Sequence, residues 1–327
     1  MRAIVIHRFG GPEELQMAEV PSPEPGAGEV LIRVMFAGVN PADWKCREGR
    51  LQHYFNCQFP FIVGFDAAGV VERVGKSITE YAVGDTVLTS SNQGRGDWGS
   101  YAEYVKSSTA TVAPLPKGID FAQGATIPTA GATAWGAVHD VGALKAGQKV
   151  LINGGSSSVG IFAIQLAKAA GCEVTATCGP ANQDFVKSLG ADHVINYRSE
   201  DVLREAVAWA PEGVDLLVDV VGLGSLPADS TRVIRPGGAL VSIETLIQDI
   251  AGFDAALAKS RNVRLLSNMA VAARIPEHLR GVVDAIAQGK VKTPPYEILP
   301  LEQAGEAHRR VAAGHVRGKL LLRVGAE

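Results

Sequence analysis

The chain has 327 residues, more than one hydrophobic core usually serves, so two domains are expected. Apolar residues make up 46% and charged residues 20%, with a formal net charge of −3. That balance describes a soluble globular chain and speaks against a nucleic-acid-binding surface, which would need a basic run.

In chain order, Ala3–Ile6, Glu29–Val34, Gly69–Val74, Asp85–Leu88 and Tyr101–Val105 are short segments of strand composition, most of them bounded by Gly or Pro. They read as strands with no long helices between them, which predicts a compact barrel or sandwich. The first six residues begin at once as a strand, so no secretion leader is expected and the location is expected to be cytoplasmic. Near Phe121 the character changes, and strands alternate with helices. Lys149–Ile152 is an apolar strand. Val159–Ala170 has helical apolar spacing and ends at Gly171. Strand Glu173–Thr177, helix Asp184–Leu189 and strands His193–Ile195, Val214–Asp219, Ala239–Ile243 and Val263–Leu266 follow. This alternation predicts a parallel doubly wound sheet whose strands, buried on both faces, read as apolar runs. A helix over His278–Gln288 and a closing strand over Lys319–Val324 complete the chain. The fold class is therefore α/β: a doubly wound domain, 124–267, inserted into a β-rich domain, 1–123 and 268–327. Apolar runs are short and broken by Gly, so no membrane span is expected.

The four cysteines, Cys46, Cys57, Cys172 and Cys178, form no C-x-x-C pair and read as free thiols in a reducing compartment. The seven histidines show no metal-ligand spacing and read as surface or structural residues.

The segment Ile152-Asn153-Gly154-Gly155-Ser156-Ser157-Ser158-Val159-Gly160 carries the chemistry. It joins an apolar strand to a helix through small residues. Small residues let the backbone approach a pyrophosphate, and the helix N-terminus offers free N–H groups and a favourable dipole. Against G-x-G-x-x-G, Gly155 and Gly160 fit, while Ser157 replaces the middle glycine. Three serine hydroxyls add further donors to phosphate. The second strand ends Thr177-Cys178-Gly179-Pro180-Ala181-Asn182, without the acid that would bind an NAD ribose and repel a 2′-phosphate. That absence favours NADP. No cation stands in the stretch; Lys187 and Arg198 are the nearest.

These segments, with Ala37-Gly38-Val39-Asn40-Pro41-Ala42-Asp43, Pro60–Val71, Val83–Val87, Pro128–Trp135, Leu189–Tyr197 and His315–Leu320, resemble the medium-chain dehydrogenase/reductase superfamily. Within it the chain is similar to the zinc-free quinone oxidoreductases, the zeta-crystallin-like branch. The resemblance implies a GroES-like catalytic domain with an inserted Rossmann domain, and NADPH as cofactor. It implies that Ser156, Ser157, Ser158 and Val159 face the pyrophosphate. Thr177, Cys178, Asn182 and Tyr197 would surround the adenosine ribose, and Thr133, Val221, Gly222 and Ile243 would approach the nicotinamide. Zinc-dependent relatives carry ligands where this chain has Asn40 and Phe65, so no metal is expected. The Val263–Leu266 edge pairs with its copy in relatives, which implies a homodimer.

Without a Lewis acid, acceptors already activated for hydride attack fit best, namely quinones and α,β-unsaturated carbonyls. Asn40 is a candidate catalytic donor to the acceptor oxygen, with holding the loop before Pro41 as its other reading. Tyr54 is a candidate pocket residue or proton donor, with packing as its other reading. Asp43 is expected to fix local structure, and Cys46 and Cys57 are expected to be bystanders. A non-catalytic NADPH-binding structural or sensor protein is the alternative to a quinone or enone oxidoreductase. No membrane or nucleic-acid partner is expected.

Overall fold

The computed structural model describes every residue except 53–55, 223–224, 228, 244–253, 268–273 and 326–327. The chain divides into two compact units, 1–129 with 293–327, and 130–292.

The first unit opens with strands β1 (Arg2–Ile6), β2 (Gln16–Glu19) and β3 (Glu29–Val39) and helix α1 (Pro41–Arg47). It continues with β4 (Phe61–Ile62), β5 (Asp66–Val74), β6 (Thr86–Ser90), β7 (Tyr104–Ser108), β8 (Val112–Pro114) and the short helix α2 (Phe121–Gly124). Strand β7 starts later than its sequence reading. Tyr101 is fully buried, and Ala102 makes only an isolated bridge to Ala3.

Helix α3 (Pro128–Trp135) leads into the second unit. Its strands are β9 (Lys149–Asn153), β10 (Glu173–Cys178), β11 (His193–Asn196), β12 (Val214–Asp219), β13 (Ile234–Ser242) and β14 (Arg264–Ser267). The helices are α4 (Ser158–Ala169), α5 (Gln183–Ser188), α6 (Val202–Trp209), α7 (Ala255–Ser260) and α8 (Ile275–Ala287). All pairings are parallel, in the order β11-β10-β9-β12-β13-β14. This is the doubly wound order, with its switch point between β9 and β12. Val150, Leu151, Ile152, Leu216, Leu217 and Val218 are buried, as a sheet covered on both faces requires.

Helix α8 belongs with the second unit, where the sequence reading ended the inserted domain at 267. The ties are polar and specific. Asp140 accepts from Arg274 at 2.6 Å and pairs with His278 at 2.9 Å. The Gln165 amide donates to the Lys292 carbonyl at 3.0 Å and accepts from the Lys292 N–H at 2.8 Å. Gly281 leaves the room that the Trp135 ring fills.

The chain returns to the first unit through β15 (Tyr296–Pro300), α9 (Ala304–Ala313) and β16 (Lys319–Arg323). The larger sheet runs β15-β16-β3-β5-β6-β8, with β7 also paired to β3. The register around β3 positions the buried polar groups of this unit. Gly38 lies opposite Asp66 on β5 and opposite Leu321 on β16. A side chain at Gly38 would strike the Ala125 carbonyl and crowd Asp66 and Lys319, so only glycine lets these three segments close here.

Candidate functional site

The Gly/Ser turn lies where β9 feeds α4, at the C-terminal edge of the parallel sheet. Gly154 has φ +93°, a conformation that L side chains rarely adopt. A Cβ there would also press within 2.6 Å of Val221. At Gly160 a Cβ would run into the Gly154 carbonyl, so the helix can approach the strand only with glycine. The third small position is different. Ser157 has φ −74° and ψ 161°, extended backbone open to any residue, and it is the N-cap of α4. Its hydroxyl accepts from the Gly160 N–H at 3.1 Å and donates to the Gly154 carbonyl at 2.8 Å. A serine thus replaces the middle glycine of the fingerprint without strain and caps the helix as well. By helix geometry the Ser158 and Val159 amides lack intrahelical acceptors, so they are available to an anion.

A buried polar frame holds this turn from beneath. The Thr177 hydroxyl accepts from the Gly154 N–H at 2.9 Å and donates to Asn153 Oδ1 at 2.7 Å. Asn153 Nδ2 donates to Asp219 Oδ1 and to the Ser225 hydroxyl, both at 2.9 Å. Asp219 Oδ1 also accepts from the N–H groups of Val221 and Gly222, each at 3.1 Å. Among the expected cofactor residues, then, Thr177 and Gly222 belong to the frame that fixes the loops. Cys178 is buried as well, and burial pushes its thiol up to about 11. Asn182 Nδ2 donates to the Ser156 hydroxyl at 3.3 Å, which brings the loop after β10 to the turn. Tyr197 and Val221 are exposed, while Thr133 and Ile243 are half-buried. Ile243 is anchored through its N–H to the Asp219 carbonyl.

Sequence reasoning missed Asn153, Asp219 and Ser225. Their signal is the ladder register, which sets Asn153 opposite Asp219 at adjacent strand ends, and spacing along the chain does not contain it. Gly154 was left outside the six-residue fingerprint, although it is the glycine whose backbone demands one. Arg198, one of the two nearest cations to this stretch in the sequence, has its guanidinium 5.7 Å from the Tyr197 ring centroid. Register explains its position too: Cys178 pairs with Asn196, so the chain after β11 runs beside the end of β10.

The first unit holds a second constellation, centred on the loop that follows β3. Asn40 is 2% exposed, and its amide is engaged at both ends. Nδ2 donates to Asp66 Oδ2 at 3.0 Å, and Oδ1 accepts from Lys319 Nζ. Lys319 and Asp66 form a buried ion pair at 3.0 Å. Asp66 Oδ1 also accepts from the Thr129 hydroxyl and N–H. Through these bonds Asn40 ties the loop before Pro41 to β5 and β16. Tyr54 and His53 lie outside the described residues.

Asp43 links this group to another. It accepts from the Asn40 N–H at 2.7 Å, the Phe65 N–H at 3.1 Å and the Tyr101 hydroxyl at 3.0 Å. Tyr101 also bonds His308 Nε2, and Arg47 bonds His308 Nδ1, both at 3.1 Å. Arginine can only donate, so Nδ1 accepts and Nε2 carries the proton. Burial drives the titration of these groups. It raises the Asp43 carboxyl to about 7, raises the Tyr101 phenol and lowers His308 to about 3. His308, read as surface or structural, is a fully buried neutral link in this chain. Asp43 fixes local structure as expected.

Comparison with known proteins places the chain in a family. Residues 26–117 match the alcohol dehydrogenase GroES-like domain, and residues 189–322 match a family described as zinc-binding dehydrogenase. A chloroplastic quinone-oxidoreductase homolog of Spinacia oleracea is 31% identical, covering 98% of this chain and 98% of its own. A quinone oxidoreductase from Coxiella burnetii is 32% identical, with a TM-score of 0.84 over 99% of both chains. A mycobacterial protein solved in complex with NADPH is 26% identical, with a TM-score of 0.85 over 99% of this chain and 100% of its own. The chain is an oxidoreductase that belongs to the medium-chain dehydrogenase/reductase superfamily, in its quinone oxidoreductase branch.

Proposed function

We propose that this protein is an NADPH-dependent oxidoreductase that transfers hydride to a quinone or an α,β-unsaturated carbonyl compound without zinc. The observation that carries this reading is the cradle at Gly154–Gly160. Its glycines let the turn close tightly against the Val220–Val221 loop, β10 and the start of α4, and α4 presents its N-terminus at that turn, where a pyrophosphate would find free N–H groups. The amides of Ser158 and Val159 and the hydroxyls of Ser156 and Ser158 would hold the phosphates. The frame of Thr177, Asn153 and Asp219 keeps the turn and the Val221–Gly222 loop fixed as the cofactor binds. Asn182, Tyr197 and Arg198 stand around the end of β10, where a 2′-phosphate would need polar and cationic partners. NADPH supplies a hydride from its nicotinamide ring, and the protein's part is to orient it and keep water out.

The zinc-independent reading rests on the resemblance, by which Asn40 and Phe65 stand where zinc-dependent relatives carry metal ligands; Asn40 is instead bound to Asp66 and Lys319. An acceptor must then be electrophilic by its own chemistry, as a quinone or enone is.

The test is absorbance at the reduced-nicotinamide band, with chelator-dialysed protein, NADPH and a panel of quinones and enones. Oxidation of NADPH with at least one acceptor, unchanged by chelation, is the expected result. Tight NADPH binding with no turnover on any acceptor would favour a structural or sensor protein. Activity lost on chelation and restored by zinc would overturn the zinc-independent reading.

A further inference from the structure

Two thiols outside both constellations face each other. The Sγ atoms of Cys46 and Cys57 are 3.6 Å apart, each the other's hydrogen-bond partner. Cys46 lies in α1 and is 1% exposed, whereas Cys57 is only half-buried and open to solvent. A disulfide has a sulfur separation of about 2.05 Å, so bond formation needs an approach of only about 1.5 Å. The other two cysteines provide the contrast. Both are buried, and Cys172 donates its thiol to the Lys145 carbonyl.

We propose that Cys46 and Cys57 form a two-thiol oxidation site, in which Cys57 reacts with a peroxide and Cys46 resolves the product to an intrachain disulfide. Accessibility assigns the roles: an oxidant reaches Cys57 first, and Cys46 waits behind it. The hydrogen bond from Cys46 favours the Cys57 thiolate, the reactive form, and the same contact with burial holds the Cys46 proton in place. In the first step the Cys57 thiolate attacks one oxygen of hydrogen peroxide. The S–O bond forms, the O–O bond breaks, and hydroxide leaves and is protonated to water. In the second step Cys46 Sγ attacks Cys57 Sγ. The S–S bond forms, the S–O bond breaks, and water leaves with the Cys46 proton. The two thiols have together lost two electrons to the peroxide, and a dithiol reductant reverses the change. The new bond would tie the second half of α1 to the segment at Cys57. This helix begins directly after Asn40 and carries Asp43.

The whole reduced protein, treated with dilute hydrogen peroxide, tests the site. Two of its four thiols should disappear, and the intact mass should fall by two hydrogens. A peptide map should join Cys46 to Cys57, and dithiothreitol should restore both thiols. Cys46→Ser should accumulate a Cys57 sulfenic acid that dimedone traps, and Cys57→Ser should keep its three thiols. Survival of all four thiols in the wild type would overturn the proposal. So would oxidation confined to Cys172 or Cys178, or a disulfide only between chains. The peptide map of the wild-type protein decides the matter even if a variant folds poorly. None of these readouts depends on turnover.

Discussion

Asp43 is a fully buried carboxyl with three donors aimed at it, and burial still raises it to about 7. Its unfolded value is near 4, so the folded state holds the extra proton between about pH 4 and pH 7. The stability this contributes is full below the unfolded value and is lost as pH rises through about 7. His308 acts in the opposite sense. Its lowered value makes the folded state bind fewer protons between about 3 and 6.5, so its contribution is lost as pH falls through that window. Asp43→Asn isolates the first effect. Relative to wild type, the variant should gain about 2 kcal/mol or more in urea unfolding between pH 5 and pH 8. An equal difference at both pH values would show that Asp43 keeps its ordinary titration. Arg198 offers a test of the cofactor reading. Arg198→Ala should raise KM for NADPH about tenfold, equivalent to one charge-assisted contact, and leave KM for NADH unchanged. Equal effects on both cofactors would remove Arg198 from 2′-phosphate recognition.

Residues of this kind show where sequence reading stops. Gly154, Ser157 and Gly160 sit in one unbroken strand–turn–helix, so local pattern displays them. Asn40, Asp66 and Lys319 are brought together by the register of three strands. Tyr101 and His308 meet across 207 positions of chain. Neither relation leaves a mark on spacing. The histidine in Ala304-Gly305-Glu306-Ala307-His308 looks like a surface residue because small residues and charges surround it in the sequence.

At the scale of elements, strands were the more legible part. β9, β10 and β12 are apolar runs closed by turn residues, and their limits agree with the sequence reading within one residue. β13 begins five residues earlier than expected, because Gly237 and Gly238 break the apolar pattern inside the strand. Short helices were harder. α1 and α6 span 7 and 8 residues, too few to show a 3.6-residue period. Their start signals were present in Asn40-Pro41 and in Asp201, which accepts from the Leu203 and Arg204 N–H groups. α4 carries its own test. Ser157→Ala removes the N-cap and should cost about 1 kcal/mol in urea unfolding. It should also weaken NADPH binding, because the same hydroxyl ties the Gly154 carbonyl to the helix start. Unchanged stability would mean that the cap is replaced by water.

At the scale of the molecule, the alternation of a β-rich segment with a doubly wound one was visible in the order of apolar runs, turn residues and helical spacing. The second boundary was not, because α8 joins its unit through side chains such as Asp140, His278 and Gln165. Among the described strands, β14 stands at the edge of the parallel sheet, with Leu265 49% exposed. An apolar edge strand invites pairing with another chain. Sedimentation at micromolar concentration should give twice the chain mass, and Leu265→Lys should shift it toward the monomer. A monomeric wild type would contradict this. Among the described residues no helix is long and apolar enough to cross a membrane.

The central claim is that the Gly/Ser turn binds NADPH for reduction of an electrophilic acceptor. The most direct measurement is kcat/KM for NADPH and for NADH with the same quinone, on metal-depleted wild-type protein. Turnover with NADPH preferred at least tenfold is the expected result. Preference for NADH, or no oxidation of either cofactor, would contradict it.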